Sequence, residues 1–290
     1  MRELMTQQEK ESFKDRVGLG WRPEIGIGIL QQLDKIDIIE VVAENCTHLN
    51  NAELKAFSRL SSQVDIVVHA LSLGLASTYP VSTKHVEAVA RVVNAIKPEA
   101  WSEHLAFVRT KDRELGHLAA PPWSEETVES TLTNIQVATQ AVGSIPHLEN
   151  ISTLYHPIGS TMSEADWTTE IIRGAKSTLL IDLENIYANS RNFKTDWFTE
   201  MLKFPLAEVK YVHIAGGHEA TDDAGEYFLD DHLHPVSEDV FALLEELAFR
   251  VSQPLTVILE RDGNYPEFNQ TNAELNQARK ALAKGRQRRR

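Results

Sequence analysis

The feature that most constrains this chain is an eightfold alternation. Short apolar, β-branched runs recur with longer amphipathic stretches between them. The runs are VGLGW (17–21), IDIIEVVAE (36–44), VDIVVHA (64–70) and AWSEHLAF (100–107). They continue with IPHLENI (145–151), TLLIDLE (178–184), VKYVHIA (209–215) and LTVILER (255–261). Between them lie helical stretches. Residues 81–97 open on a Ser-Thr pair suited to capping. Residues 124–142 begin with Ser124 and carry Thr127 where a capping-box Glu would sit, so that cap is expected to be partial. Residues 163–175 and 237–251 start with Ser and acidic groups, which suit a helix N-terminus.

Eight strand–helix units in one run, with no Pro/Gly/Ser linker, predict an α/β fold: a single (β/α)8 TIM barrel with its site at the C-terminal rim of the strands. A doubly wound open sheet with extra strands is the competing architecture. The barrel domain is expected over residues 15–280, after a flexible segment 1–14. The basic end, 281–290 with KGRQRRR at 284–290, is expected to be a disordered, solvated tail. The longest irregular piece is the polar, Gly-containing loop 216–235, and loops of that length are usually lids or disordered.

The charge balance excludes some partners. With 42 acidic against 29 basic residues, the chain lacks the basic face that a broad nucleic-acid surface needs. Cys46 is the single cysteine, so no intrachain disulfide forms, a reducing compartment fits, and Cys46 itself is expected to be a small buried side chain. No apolar run reaches membrane-spanning length, and MRELMTQQEKESFKDR has no apolar signal core. The expectation is a soluble, cytoplasmic protein with neither nucleic-acid nor membrane partner.

In a parallel barrel the chemistry sits at the C-terminal strand ends. Here those ends carry Glu44 and Asn45, His69, Glu103 and His104, Glu149 and Asn150, Asp182, Glu184 and Asn185, His213, and Glu260 and Asp262. Strand alternation would put Asp182 and Glu184 on one face, and Glu260 and Asp262 likewise. One buried histidine or carboxylate is more often a hydrogen-bonded core group than a ligand. Six or more at the same end of successive strands is a different matter, because unpaired buried carboxylates cost several kcal/mol each. Only Arg22 and Arg261 stand nearby to neutralise them, as clamps for a peptide carboxylate or as structural ion pairs. Metal cations are the simplest compensation. Mixed His and carboxylate ligands suit Fe, Mn or Zn, and the lack of a cysteine ligand argues against structural zinc. GLGW and AGGH lack the spacing of a dinucleotide fingerprint, and there is no nucleophile elbow or Walker phosphate loop.

Ten ordered blocks then carry a family resemblance: GLGWRPE (18–24), AEN (43–45), HALSLGLAS (69–77), SEHLAF (102–107), LENIS (148–152), STMSEADW (160–167), DLENIYANSRN (182–192), VHIAGGH (212–218), DDHLHPV (230–236) and LERDGN (259–264). Across residues 17 to 270 the chain resembles the multinuclear non-haem iron-dependent oxidative enzymes. The resemblance implies two or three iron ions, mixed Fe(II)/Fe(III), with O2 as co-substrate. It also implies oxidation of a residue, cysteine above all, in a ribosomally synthesised precursor peptide presented by a small leader-binding partner protein. Carried over by position, His69, His104 and Glu149 match a first metal position. Glu149 bridges to a second with Asp182, His213 and Glu260, and these four form the catalytic core. Asn185 and His232, with Asp230, match a third and more labile position. Glu44, Asn45, Glu103, Asn150, Glu184, His218, Asp230 and Asp262 are expected to orient these ligands.

Two departures stand out. Many relatives read Asp-Val-Asn-Asn where this chain has DLEN, so Glu184 replaces an amide with a carboxylate, and His234 stands where many have a small residue. Two rival readings remain. A metal-dependent sugar isomerase or phosphodiesterase of the xylose-isomerase-like type would want a strand-end lysine or a basic groove, and neither is present. A non-catalytic metal- or peptide-binding barrel would be expected to have lost a ligand, yet every carried-over position holds a competent one.

Overall fold

The computed structural model describes residues 14–110, 113–223 and 225–289. Its strands in chain order are β1 (Arg16–Gly20), β2 (Ile38–Val42), β3 (Asp65–Ala70), β4 (Ala100–His104), β5 (Phe107–Arg109), β6 (Glu114–Ala119), β7 (His147–Glu149), β8 (Leu179–Asp182), β9 (Val209–Ile214), β10 (His218–Asp222), β11 (Gly225–Leu229) and β12 (Thr256–Leu259). Eight of them close a parallel barrel in the order β1-β12-β9-β8-β7-β4-β3-β2. Each apolar run of the sequence supplies one of these strands. The open-sheet alternative is excluded.

The helices are α1 (Gly26–Gln31), α2 (Asn51–Leu60), α3 (Thr83–Ile96), α4 (Glu125–Val142), α5 (Glu164–Ala175), α6 (Leu183–Phe193), α7 (Trp197–Met201), α8 (Glu238–Arg250) and α9 (Phe268–Arg288). Ser82 takes the N-cap position of α3 without a side-chain bond. The α4 cap is fuller than expected: Thr127 Oγ1 accepts the Ser124 N–H at 3.2 Å, so a Thr completes the box in place of Glu. None of the helices among the described residues is long and apolar enough to cross a membrane.

The core has two layers. Outward-facing strand residues such as Ile39, Val68, Trp101, Ile181 and Val212 pack against the helices. Inside the barrel, Ile38, Val67, Leu180, Tyr211 and Ile258 form a separate apolar plug. Two residues further along the same strands, on the same pleat face, stand Glu40, His69, Asp182, His213 and Glu260, all buried. The plug closes the barrel below, and the polar layer is set directly above it. Gly18 lets β1 approach β2: a Cβ there would stand 1.8 Å from the Ile38 carbonyl oxygen.

Three expectations are corrected. The basic end is not a disordered tail: α9 continues to Arg288 and packs along α8, and Leu282 is buried. Arg286 donates to the Asp15 carboxylate at 2.7 Å and to the carbonyls of Ala248 and Gln253, so the helix end is tied to the segment that precedes β1. The loop 216–235 contains the antiparallel hairpin β10–β11. Strand alternation also stops earlier than assumed. β8 ends at Asp182, which becomes the N-cap of α6, so helical geometry rather than the pleat places Glu184, and Glu260 and Asp262 likewise lie beyond β12. The expectation of a flexible segment 1–14 falls almost wholly on residues 1–13, which lie outside the described residues.

Candidate metal centre

The polar layer gathers two groups of donors, and Glu149 belongs to both. One comprises His69, His104 and Glu149; the other comprises Glu149, Asp182, His213 and Glu260. In each, one donor atom per residue lies within 4.8 Å of the rest. Glu149 Oε2 stands 3.3 Å from His69 Nε2 and 3.4 Å from His104 Nε2. Its Oε1 stands 3.0 Å from His213 Nδ1, and Glu260 Oε2 is 3.1 Å from the same nitrogen.

Neighbouring groups orient these donors. His69 Nδ1 is bonded to Ser102 Oγ at 2.8 Å, which turns Nε2 toward Glu149. His213 Nε2 is bonded to Glu40 Oε2 at 3.0 Å, leaving Nδ1 for the centre. Asp182 Oδ1 accepts the Asn185 N–H at 2.7 Å as the α6 cap, and its Oδ2 has no partner. The Asn150 amide bridges the backbone of Asp182, accepting its N–H at 2.9 Å and donating to its carbonyl at 3.1 Å. Asn185 Nδ2 donates to the Asn150 carbonyl, and its Oδ1 is unpartnered.

The electrostatics of the layer are severe. Burial, then the charges of Asp230 and Glu149, drive the Asp182 carboxyl well above its ordinary pKa. Burial, then Asp230 and Asp182, push Glu184 up to about 9. For Glu149 and Glu260, burial would also raise the pKa, but the histidines, His213 foremost, outweigh it and hold both carboxyls below the usual range. Burial opposes the charge on His104, yet Glu149 beside it lifts the imidazole to about 9. His69 is the exception, lowered by its burial.

The donor set fits metal ions on two grounds. His69 Nε2, Glu149 Oε2, Asp182 Oδ2, both Glu184 oxygens and Asn185 Oδ1 are buried without a hydrogen-bond partner, and each such atom costs about 1–3 kcal/mol unless something satisfies it. The acids also outnumber the cations in the same layer, which shared cations would offset. His69 and Glu149 face one another without the alignment of a hydrogen bond, as two ligands of one ion do.

The remaining expected residues separate into several places. His232 Nε2 lies 2.9 Å from Asp230, and its Nδ1 faces Asp262 and Glu260 at 3.4 and 3.6 Å, so this pair flanks the second group on its Glu260 side. Glu44 holds the loop after β3 instead of a candidate ligand, whereas Glu103 reaches both that loop and His104, accepting the His104 N–H at 2.9 Å with its Oε1 3.8 Å from His104 Nδ1. Glu44 Oε1 accepts the N–H groups of Leu71 and Ser72 at 3.0 and 2.8 Å, and Glu103 Oε2 accepts that of Leu73 at 3.0 Å. Asn45 is exposed on the cleft wall. His218 is bound to neither group and instead pairs with Asp231. Arg22 is paired with Asp262 at the cleft, whereas Arg261 is tied to Glu274 at 3.1 Å away from it. Cys46 is buried, as expected. Glu40 and Ser102 were missed. Each lies on the inward pleat face of its strand, two residues beyond a residue at plug level, and that spacing is the signal that could have found them.

Above the floor opens a cleft of about 980 Å³. His69, His104, His232 and Glu260 line its base, and the β5–β6 hairpin contributes His117 and Leu118 to one wall.

Residues 16–283 match the family model described as "RiPP precursor modification enzyme MbnB/TglH/ChrH". The chain belongs to this family. A UPF0276 protein of Streptomyces avermitilis is 33% identical over 92% of this chain, which spans 55% of that relative's length. A UPF0276 protein of Acinetobacter baylyi is 28% identical over 90% of this chain and 89% of its own. The fold is that of the xylose-isomerase-like barrels. A xylose isomerase domain protein from Planctomyces limnophilus superposes with a TM-score of 0.59 at 14% identity, covering 95% of this chain and 98% of that one. D-psicose 3-epimerase from Clostridium cellulolyticum H10 gives 0.58 at 9%, covering 94% and 99%. At these identities the likeness concerns architecture alone. The family takes its description from enzymes that modify RiPP precursors.

Proposed function

We propose that this chain binds two or three iron ions on its barrel floor and uses O2 to oxidise a residue, cysteine above all, in a ribosomally synthesised precursor peptide. One observation carries the reading: the two carboxylate oxygens of Glu149 face two separate donor groups at the base of an open cleft. His69 and His104 would hold one iron with Glu149. Asp182, His213 and Glu260 would hold the other, and Asn185, Asp230 and His232 would serve a third, labile position. When bound, the irons supply O2 activation and a Lewis acid for an anionic substrate group such as a thiolate.

The protein's part is orientation and exclusion. Glu40 keeps the proton of His213 on Nε2, and Ser102 fixes the ring of His69. The plug residues beneath keep water from reaching the ligands from below. The cleft is at the upper end of small-molecule sites and is open, which suits a peptide segment. Asp262 already neutralises Arg22, so a substrate carboxylate would have to displace that pair. A leader-binding partner protein would supply the remaining affinity, and a cytoplasmic setting would keep Cys46 and a substrate thiol reduced.

The test is anaerobic loading with iron-57, followed by Mössbauer spectroscopy and metal counting. Two or three irons per chain, including a coupled pair that disappears in E149Q, is the expected result. Stoichiometric manganese or zinc that iron cannot displace would overturn the reading and put a sugar isomerase in front.

A further inference from the structure

Outside the buried centre, one cluster among the described residues has the composition of a metal site and no role in what precedes. We propose that His218, Asp231 and His234 form a separate mononuclear site for a borderline divalent cation, of the zinc or cobalt class, at the base of the β10–β11 hairpin. Their donor atoms lie within 4.8 Å of one another. The two oxygens of Asp231 are divided between the rings: Oδ2 is 2.9 Å from His218 Nδ1, and Oδ1 is 3.0 Å from His234 Nδ1. The rings themselves stand 4.7 Å apart between centroids. His218 Nδ1 is buried, and the carboxylate beside it lacks the direction of a hydrogen bond, so this donor is unsatisfied. Two imidazoles and one carboxylate favour Zn, Co or Ni over the oxygen-seeking Mg and Ca.

The backbone holds the cluster together. A Cβ on Gly216 would stand 2.2 Å from the Pro235 carbonyl oxygen and 2.4 Å from that of His234; one on Gly217 would stand 2.3 Å from that of Leu229. Only glycines allow segments 216–218 and 229–235 to touch so closely, and that contact brings the three side chains into reach. His218 is also registered opposite Leu229 at the first pair of the hairpin. The Leu233 N–H donates to Asp231 Oδ1 at 3.0 Å and fixes the carboxylate plane. The outer sides of both rings are open, with side-chain exposures of 38% for His218 and 40% for His234, which leaves a fourth coordination position to water.

The placement also suggests a purpose. His232 sits at φ 57°, in the left-handed region that residues other than glycine visit uncommonly. Asp231 joins this peripheral cluster, while Asp230 and His232 on either side of it turn toward Asp182 and Glu260. A cation on Asp231 would therefore brace the segment that borders the buried centre.

The experiment uses the full chain, stripped by chelation and titrated anaerobically with Co2+ and with Zn2+. E149Q weakens the buried centre, so the tightest cation it retains reads the peripheral site. One Co2+ per chain in E149Q, with the visible absorption of a four-coordinate ion, is expected, and H218A or H234A on that background should remove it. If E149Q binds no cation, or if the added histidine changes leave its stoichiometry and spectrum unaltered, the site does not exist. H234A alters one half-exposed ring, so its circular dichroism should match the parent, and loss of the cobalt band can then be assigned to lost ligation. These readouts are independent of iron, O2 and peptide, so the oxidative reading can fail while this one stands.

Discussion

At the scale of single residues, Glu40 shows how the barrel chooses a ligand atom. A histidine offers two nitrogens, and the one that binds metal is set by the bond the other makes. Here Glu40 takes Nε2 of His213 at 3.0 Å, so Nδ1 is the nitrogen left facing Glu149 and Glu260. E40L removes the acceptor and should weaken iron binding at the second group by about 10–100-fold, while E40Q, which keeps an acceptor, should lose much less. Competition with a calibrated chelator measures both. An E40L protein that holds iron like the parent would show that the bond is incidental. That the candidate donors stand together was legible because strand ends with His, Glu and Asp are easily recognised. Glu40 was not, because a lone carboxylate between Ile39 and Val41 in an apolar run gives no sign of which layer it occupies until the register with Ile38 is known.

At the scale of elements, a strand with apolar residues on both faces announces itself, as β2, β3, β8, β9 and β12 do. The two hairpins do not. β6 and β10 are mostly exposed or half-exposed and lack the apolar alternation that marks a buried face. The tail was misread for a related reason. Its basic composition suggests solvation, but Leu282 and Gly285 give it a packing face against α8, and arginines find carbonyls and carboxylates there. Helix α5 carries a pH signature of its own. Burial, the dominant influence, raises its first residue, Glu164, from the usual carboxylate range to about 8, against the pull of the Asn189 amide. His156, Glu200 and Lys203 line the same cavity. Between about pH 4.5 and 8 the folded chain keeps this proton and the unfolded chain releases it, so stability should fall as pH rises through that window. E164Q carries no titrating proton and should flatten the slope by up to one proton. Urea midpoints at several pH values, compared between the two proteins, decide the matter, and identical slopes would refute it.

At the scale of the whole molecule, the barrel is held from both ends. Below, Arg286 ties α9 to Asp15 and to the carbonyls of Ala248 and Gln253, joining the end of the last helix to the residue that precedes β1. R286A should cost on the order of 2–3 kcal/mol, since several charge-assisted bonds lose their donor at once. A denaturation midpoint would show it, and a loss under about 0.5 kcal/mol would return the tail to the solvated role its composition suggests.

Above, the polar layer sets the opposite condition. Glu149, Asp182 and Glu184 carry buried oxygens that have no protein partner, so the metal-free fold keeps an uncompensated cost that bound cations would remove. A cation that binds only the folded chain at 100 times its dissociation constant adds about 2.7 kcal/mol. For a chain of this size that amounts to roughly 4–5 °C in Tm. Chelation should therefore lower Tm by several degrees, and iron added back without O2 should restore it. E149Q should melt closer to the chelated parent and respond little to iron, because the carboxylate shared by both groups is gone. Calorimetry on the four samples separates this from a general effect of chelator. If the parent and its stripped form melt together, the layer is satisfied by protons on its carboxyls instead of by metal, and the unpartnered atoms above the plug would need another explanation.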